Sequence, residues 1–316
     1  MNFADLKNTL KEGIASAYVI YGSDNFLVQK SVDMITETAG VADKLLNVSR
    51  LDNESNPAAI IAACRTVSFF GGKRVVTVKP FAPEQMTQEM KKYLDAPDPD
   101  CVLILVLAAD KNTISGAAAK KLAEVNCNPM SANIVTKLIA NQLAAAGKKI
   151  SYEAADLLAR YCGNIYARVD NEITKLCNYF DNLPLIDAPQ VAQICSKTED
   201  YQTYELAQAI CAGKVSESDK ILSALQAAGV DEYLIFANLV SAFRRIFYSL
   251  TCKSDTQTMA AFLGCSPYAV QYARRDNKHL TEKIAALYNY ILELEYQIKS
   301  GKISVENALV LCYELV

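Results

Sequence analysis

Residue types and spacing come nearest to phosphate chemistry at the turn around Gly22 in this 316-residue chain. Ala17-Tyr18-Val19-Ile20-Tyr21 is a β-rich run, Gly22-Ser23-Asp24-Asn25 follows, and Phe26, Leu27, Ser31, Met34 and Ile35 then recur with helical period. Strand, glycine turn and helix form the layout that cradles phosphate on backbone N–H groups. A working loop also needs a second glycine for close approach, a lysine for the phosphates and a serine or threonine for magnesium. Counted from Gly22, those positions hold Leu27, Val28 and Gln29, so the layout persists without the chemistry. A nucleotide hydrolase further places a magnesium-holding Asp and a water-activating Glu at the end of a later strand. Here the β-branched run Val75-Val76-Thr77-Val78 leads into Lys79-Pro80.

Other chemistry is scarce. With one histidine, His279, the Ser-His-Asp, Cys-His and multi-histidine metal arrangements would all have to share a single residue, which sits in the polar turn Asp276-Asn277-Lys278-His279. Asp98 and Asp100 alternate with prolines, which is turn chemistry before it is acid–base chemistry. The ten cysteines include no C-x-x-C and fall mostly in apolar contexts such as Cys162, Cys177, Cys211 and Cys312, so they read as small buried hydrophobes. No metal site and no cofactor are expected, and no catalytic residues.

One further stretch invites a partner. Ile60, Ile61, Cys64 and Val67 trace an apolar helical segment that ends in Ser68, Phe69 and Phe70 before Gly71-Gly72 stops it. Consecutive helical residues point about 100° apart, so one face does not bury both rings. Two readings fit: the pair belongs to a local core, or it stands proud for another protein.

These features must be held by elements that the rest of the chain supplies. Its length suits two or three domains, and 51% apolar with 21% charged residues describes a folded globular protein. The longest apolar run, from Cys101 to Ala109, is too short for a bilayer span, and Met1 to Glu12 lacks a signal-peptide pattern, so a cytoplasmic protein is expected. Strands are expected at 17–21, 45–51, 74–78 and 101–107, with a last short one near 125–127. Helices are expected between them at 57–70, 83–94 and 117–124, giving an open α/β sheet over 1–130. Strand signals vanish after Ser131: a small helical domain over 131–198 and an all-helical domain over 199–316 are expected, with 196–200 as a polar linker. The strongest helix, Asp231 to Leu250, stripes Tyr233, Phe236, Val240, Phe243 and Phe247. No segment is strongly basic. The pairs Arg244-Arg245 and Arg274-Arg275 could touch DNA phosphate, or could be solvated helix faces.

In this order, Thr66 to Val76, Asn171-Glu172-Ile173-Thr174-Lys175-Leu176 and Gln297-Ile298-Lys299-Ser300-Gly301 resemble the bacterial DNA polymerase III delta subunits over essentially the whole chain. The resemblance implies an AAA+-like domain with a parallel sheet, a helical lid and a C-terminal collar that oligomerises. It implies a clamp-loader subunit that opens the beta sliding clamp for primed DNA, beside delta-prime and the ATP-hydrolysing gamma/tau subunits, without hydrolysing ATP. It would thus be a non-catalytic part of a DNA-directed DNA polymerase, a nucleotidyltransferase. The family's clamp contact carries over onto Val67, Ser68, Phe69 and Phe70. Many members have Gln where this chain has Arg65, and an aliphatic residue where it has Phe69. Two rivals remain: an AAA+-like clamp-loader ATPase with an atypical loop, and a DNA-binding adaptor using the four arginines.

Overall fold

The structure is a computed structural model, and it describes residues 1–68 and 71–312. The chain divides into two compact units, Met1–Ala146 with Ile165–Ile173, and Gly147–Asn164 with Thr174–Val316.

The first unit is built on a parallel sheet. Helix α1 (Phe3–Glu12) buries Phe3, Leu6 and Leu10 at helical spacing and is capped by the Asn2 side chain, which accepts from the Asp5 N–H. Strand β1 (Ala17–Tyr21), α2 (Asn25–Thr38), α3 (Lys44–Asn47), β2 (Val48–Leu51), α4 (Pro57–Arg65), β3 (Arg74–Phe81), α5 (Gln88–Asp95), β4 (Cys101–Leu107) and β5 (Ala123–Asn126) follow. The strand order is β2-β3-β4-β1-β5, with every neighbouring pair parallel. Strand β4 is buried along its whole length, as its unbroken apolar run requires of a strand covered on both faces. Helix α6 (Ala132–Ala145) ends the continuous part of the unit.

Three local expectations change. Residues 45–47 form α3 instead of opening a strand, because the Asp43 carboxylate accepts from the Leu45 and Leu46 N–H groups and caps a helical turn. Residues 117–124 are not a helix; they give a short 3₁₀ turn at Ala119–Lys121 and then β5, whose pairing with β1 overrides the helix preference of alanine and lysine. The helix expected from 83 starts at Gln88, capped by Thr87.

The second unit is helical apart from a two-residue parallel pair, β6 (Lys149–Ile150) with β7 (Leu185–Ile186), that the sequence reading missed. Its helices are α7 (Tyr152–Tyr161), the latter part of α8 (Tyr166–Tyr179), α9 (Ala188–Ile194), α10 (Glu199–Cys211), α11 (Val215–Ala227), α12 (Glu232–Thr251), α13 (Thr256–Leu263), α14 (Pro267–Asp276), α15 (Ile284–Lys299) and α16 (Val305–Leu311). The polar stretch read as a linker runs straight into α10, with Thr198 as its N-cap. Core packing centres on Ile235, Phe236, Leu239, Phe243 and Ile246 of α12, against Leu287 and Ile291 of α15 and Ile210 of α10. Tyr233 of the expected stripe is exposed, while Val240 and Phe247 are partly buried against this core. Among the described residues, no helix is long and apolar enough to cross a membrane.

Candidate functional site

The partner-contact stretch is positioned by α4. Asn56 Oδ1 accepts from the Ala59 N–H at 2.7 Å, Pro57 occupies the first turn, and Ile60 and Cys64 anchor the buried face. The helix stops at Arg65, earlier than its apolar pattern suggests: Thr66 turns to extended backbone (φ −66°, ψ 127°) while its hydroxyl donates to the Ala62 carbonyl at 2.9 Å. Val67 therefore lies beyond the helix and not on its apolar face, and it is 88% exposed. The Ser68 hydroxyl donates to the Gly71 carbonyl at 2.7 Å. Gly71 and Gly72 both take positive φ (73° and 79°), which returns the chain to β3. Phe69 and Phe70 lie outside the described residues. The base of the stretch is held by buried Arg74, whose Nη1 donates to the Leu46 carbonyl and Nη2 to Ser49 Oγ, and whose N–H donates to the Asp100 carbonyl at 2.7 Å. Exposed Arg65 sits in the last turn of α4, where a cation favours the helix dipole.

At the phosphate-loop layout the donors are already engaged. The Gly22 N–H donates to the Ala109 carbonyl at 2.9 Å, Ser23 N–H to Asn128 Oδ1 at 3.2 Å, and Asp24 N–H to the Cys127 carbonyl at 3.1 Å. The N–H groups of Phe26 and Leu27 donate to Asp24 Oδ1 at 3.0 and 3.1 Å. A carboxylate of the chain itself thus takes the helix N-terminus where a phosphate would sit. Sequence reasoning passed over Asp24, although an Asp directly before an apolar helical run is a capping signal. Leu27 and Val28 are buried, and Gln29 bonds along its own helix to Asp33 at 3.0 Å. A β-carbon on Gly22 would overlap the Cys127 backbone, so glycine is required there. Burial pushes the Cys127 thiol up to about 11, its Sγ resting 3.3 Å from Ser31 Oγ.

The four arginines are placed in different ways. Arg274 spans the end of α12, donating from Nε to the Ser249 carbonyl at 3.0 Å and from Nη2 to the Ser254 carbonyl at 2.6 Å. Arg275 pairs with Asp276 at 2.8 Å and lies over the Tyr272 ring. Arg244 is exposed and lies over the Phe262 ring, whereas Arg245 is half-buried over the Tyr204 ring.

The family model described as "DNA polymerase III, delta subunit" matches residues 18–128 of this chain, and "DNA polymerase III delta subunit, C-terminal domain" matches residues 200–313. The chain belongs to the DNA polymerase III delta-subunit family. A DNA polymerase III subunit delta from Bacillus subtilis is 25% identical over 321 residues, covering 94% of this chain and 92% of the relative. One from Haemophilus influenzae is 22% identical, covering 74% and 71%. The solved Bacillus subtilis DNA clamp loader delta protein covers 99% of both chains with a TM-score of 0.71 at 24% identity, so the two share a fold. The expected combination of an α/β parallel-sheet region and a helical region is therefore a delta-family fold.

Proposed function

We propose that this chain is the clamp-loader delta subunit that binds and opens the beta sliding clamp through Val67, Ser68, Phe69 and Phe70. The observation that carries the reading is the tip itself: a large aliphatic side chain 88% exposed just past the end of α4, in a chain of the delta family. Each apolar side chain buried in a partner pocket contributes on the order of 1.5–3 kcal/mol, so a short apolar tip suffices as a hot spot. Binding alone opens nothing: the tip must hold the open or strained clamp more tightly than the closed one, since a ligand shifts an equilibrium only by its differential affinity.

The saturated donors of the Gly22 turn and the burial of Leu27 and Val28 support a subunit that leaves ATP to its neighbours. In this reading residues 1–130 form the AAA+-like domain, 131–198 the lid, and 199–316 the collar that joins gamma/tau and delta-prime in the complex that meets primed DNA. The rival that uses an atypical ATP loop predicts ATP binding by the isolated chain. The DNA-adaptor rival predicts salt-sensitive DNA binding by the isolated chain. Pull-down with the sliding clamp of the same organism decides the main reading: Phe69→Ala/Phe70→Ala loses clamp capture and ring opening, and unchanged capture refutes the assignment.

A further inference from the structure

Among the described residues, the two most exposed large apolar side chains are Leu45, at 93%, and Val67, at 88%. They belong to different elements, and the sheet brings both to one edge. Val48, Val75 and Val102 share a register across β2, β3 and β4, so the segments that enter these strands lie side by side, one strand spacing of about 4.8 Å apart. Helix α3 enters β2 and carries Leu45 together with exposed Leu46, while the tip from Val67 to Gly72 enters β3. Gly72 lies against the start of this segment: a β-carbon on it would sit 3.6 Å from that of Ala42. The other large apolar side chains that the first unit exposes are Met1, which is tied to β5 across the sheet, and Ile165 before α8.

The α3 backbone is fixed while its leucines face water. Asp43 Oδ1 accepts from the Leu45 and Leu46 N–H groups at 2.8 and 3.3 Å, and Arg74, buried under the tip, holds the Leu46 carbonyl from Nη1 at 3.3 Å. Single exposed leucines need no explanation, but Leu45, Leu46 and Val67 on one edge form the kind of surface that another protein covers. An anchored backbone lowers the ordering cost of using it. A standard interface covers roughly 800 Å² on each partner, many strand spacings across, so a globular protein seated on Val67 also meets α3. We infer that Leu45 and Leu46 form a second apolar contact for the same sliding clamp that receives the tip. The inference rests on the clamp-binding reading above, and it extends that contact to an element outside Val67 to Phe70.

Surface plasmon resonance of the full chain on immobilised clamp tests this contact apart from the tip. Leu45→Ala/Leu46→Ala should weaken binding by roughly ten- to hundredfold and leave the melting temperature unmoved, because both side chains are exposed in the free chain. Leu45→Met/Leu46→Met should stay within about threefold of the parent, and Ile165→Ala should match it. p-Benzoylphenylalanine in place of Leu45 should photo-cross-link to the clamp. Weakened binding by the alanine pair with cross-linking from position 45 supports the contact, whether or not Phe69→Ala/Phe70→Ala also loses capture. Loss in the Phe69→Ala/Phe70→Ala variant alone upholds the tip and overturns the second contact. Cross-linking of position 45 only to a second copy of this chain, or equal loss in Ile165→Ala, overturns it too. A parent chain that captures no clamp overturns both readings.

Discussion

The Ser68 hydroxyl lies 2.7 Å from the Gly71 carbonyl that it donates to, and the Gly71 N–H returns a longer bond, 3.4 Å, to the Ser68 carbonyl. The residues flanking positions 69 and 70 are thus tied to each other. An exposed hydrogen bond of this kind contributes about 0.5–1.5 kcal/mol, in a loop whose ordering would otherwise be charged to binding. Ser68→Ala should weaken clamp binding by roughly three- to tenfold in surface plasmon resonance and leave the melting temperature within about 2 °C of the parent. Unaltered affinity would separate the tie from recognition.

Rebuilding a phosphate loop should fail in a particular way. Val28 occupies the position of the phosphate-binding lysine, but it is only 2% exposed and faces the core of the first unit. A lysine there is a buried ammonium without a counter-ion, at a cost of several kcal/mol. Val28→Lys combined with Gln29→Thr should lower the melting temperature by roughly 10 °C or more and yield no ATP binding by equilibrium dialysis. Nucleotide binding by that variant would revive the ATPase reading.

How far the sequence carries depends on whether local signals and tertiary pairing agree. Strands β1, β3 and β4 were legible because their apolar runs and flanking turns point the same way, and most helices of the second unit announced themselves through Ser, Thr or Asp caps and glycine stops. The failures fall where a neighbour decides. Residues 117–124 read as helix from propensity, and become a turn and the start of an edge strand because β5 pairs with β1. Val67 reads as helix face from its spacing, and lies outside the helix because Thr66 turns its backbone extended. The anion-binding donors of the Gly22 turn look available in sequence. Their acceptors, Ala109, Cys127 and Asn128, come from more than eighty residues away and leave no mark on the local pattern.

Alkaline pH should loosen the first unit at Cys127. Burial raises its thiol to about 11, whereas an unfolded thiol ionises near 8.5, so the folded state keeps its proton more tightly. Between those values the unfolded chain binds fewer protons and stability falls as pH rises; below about 8.5 the contribution is fully present. Denaturant midpoints measured under reducing conditions should decline from about pH 8.5 to about pH 11, and Cys127→Ala should flatten that part of the slope. An identical slope in the variant would assign the decline to other groups.

Lys148 should prove to be a structural cation of the second unit. It is only 7% exposed, and its ammonium donates to the carbonyls of Phe180, Asp181 and Leu183 at 2.8, 2.7 and 3.1 Å. These carbonyls lie just past α8, where the helix leaves acceptors unpaired and its dipole attracts positive charge. Lys148→Met keeps the aliphatic stem but removes the ammonium from the Asp181 and Leu183 carbonyls, while the Phe180 carbonyl keeps the Leu183 N–H at 3.0 Å, so a loss of roughly 1–3 kcal/mol is expected in urea unfolding. Arginine at 148 keeps the charge but replaces a compact three-donor head with a planar fork, and should recover only part of that loss. A Lys148→Met chain as stable as the parent would mean that water serves these carbonyls equally well.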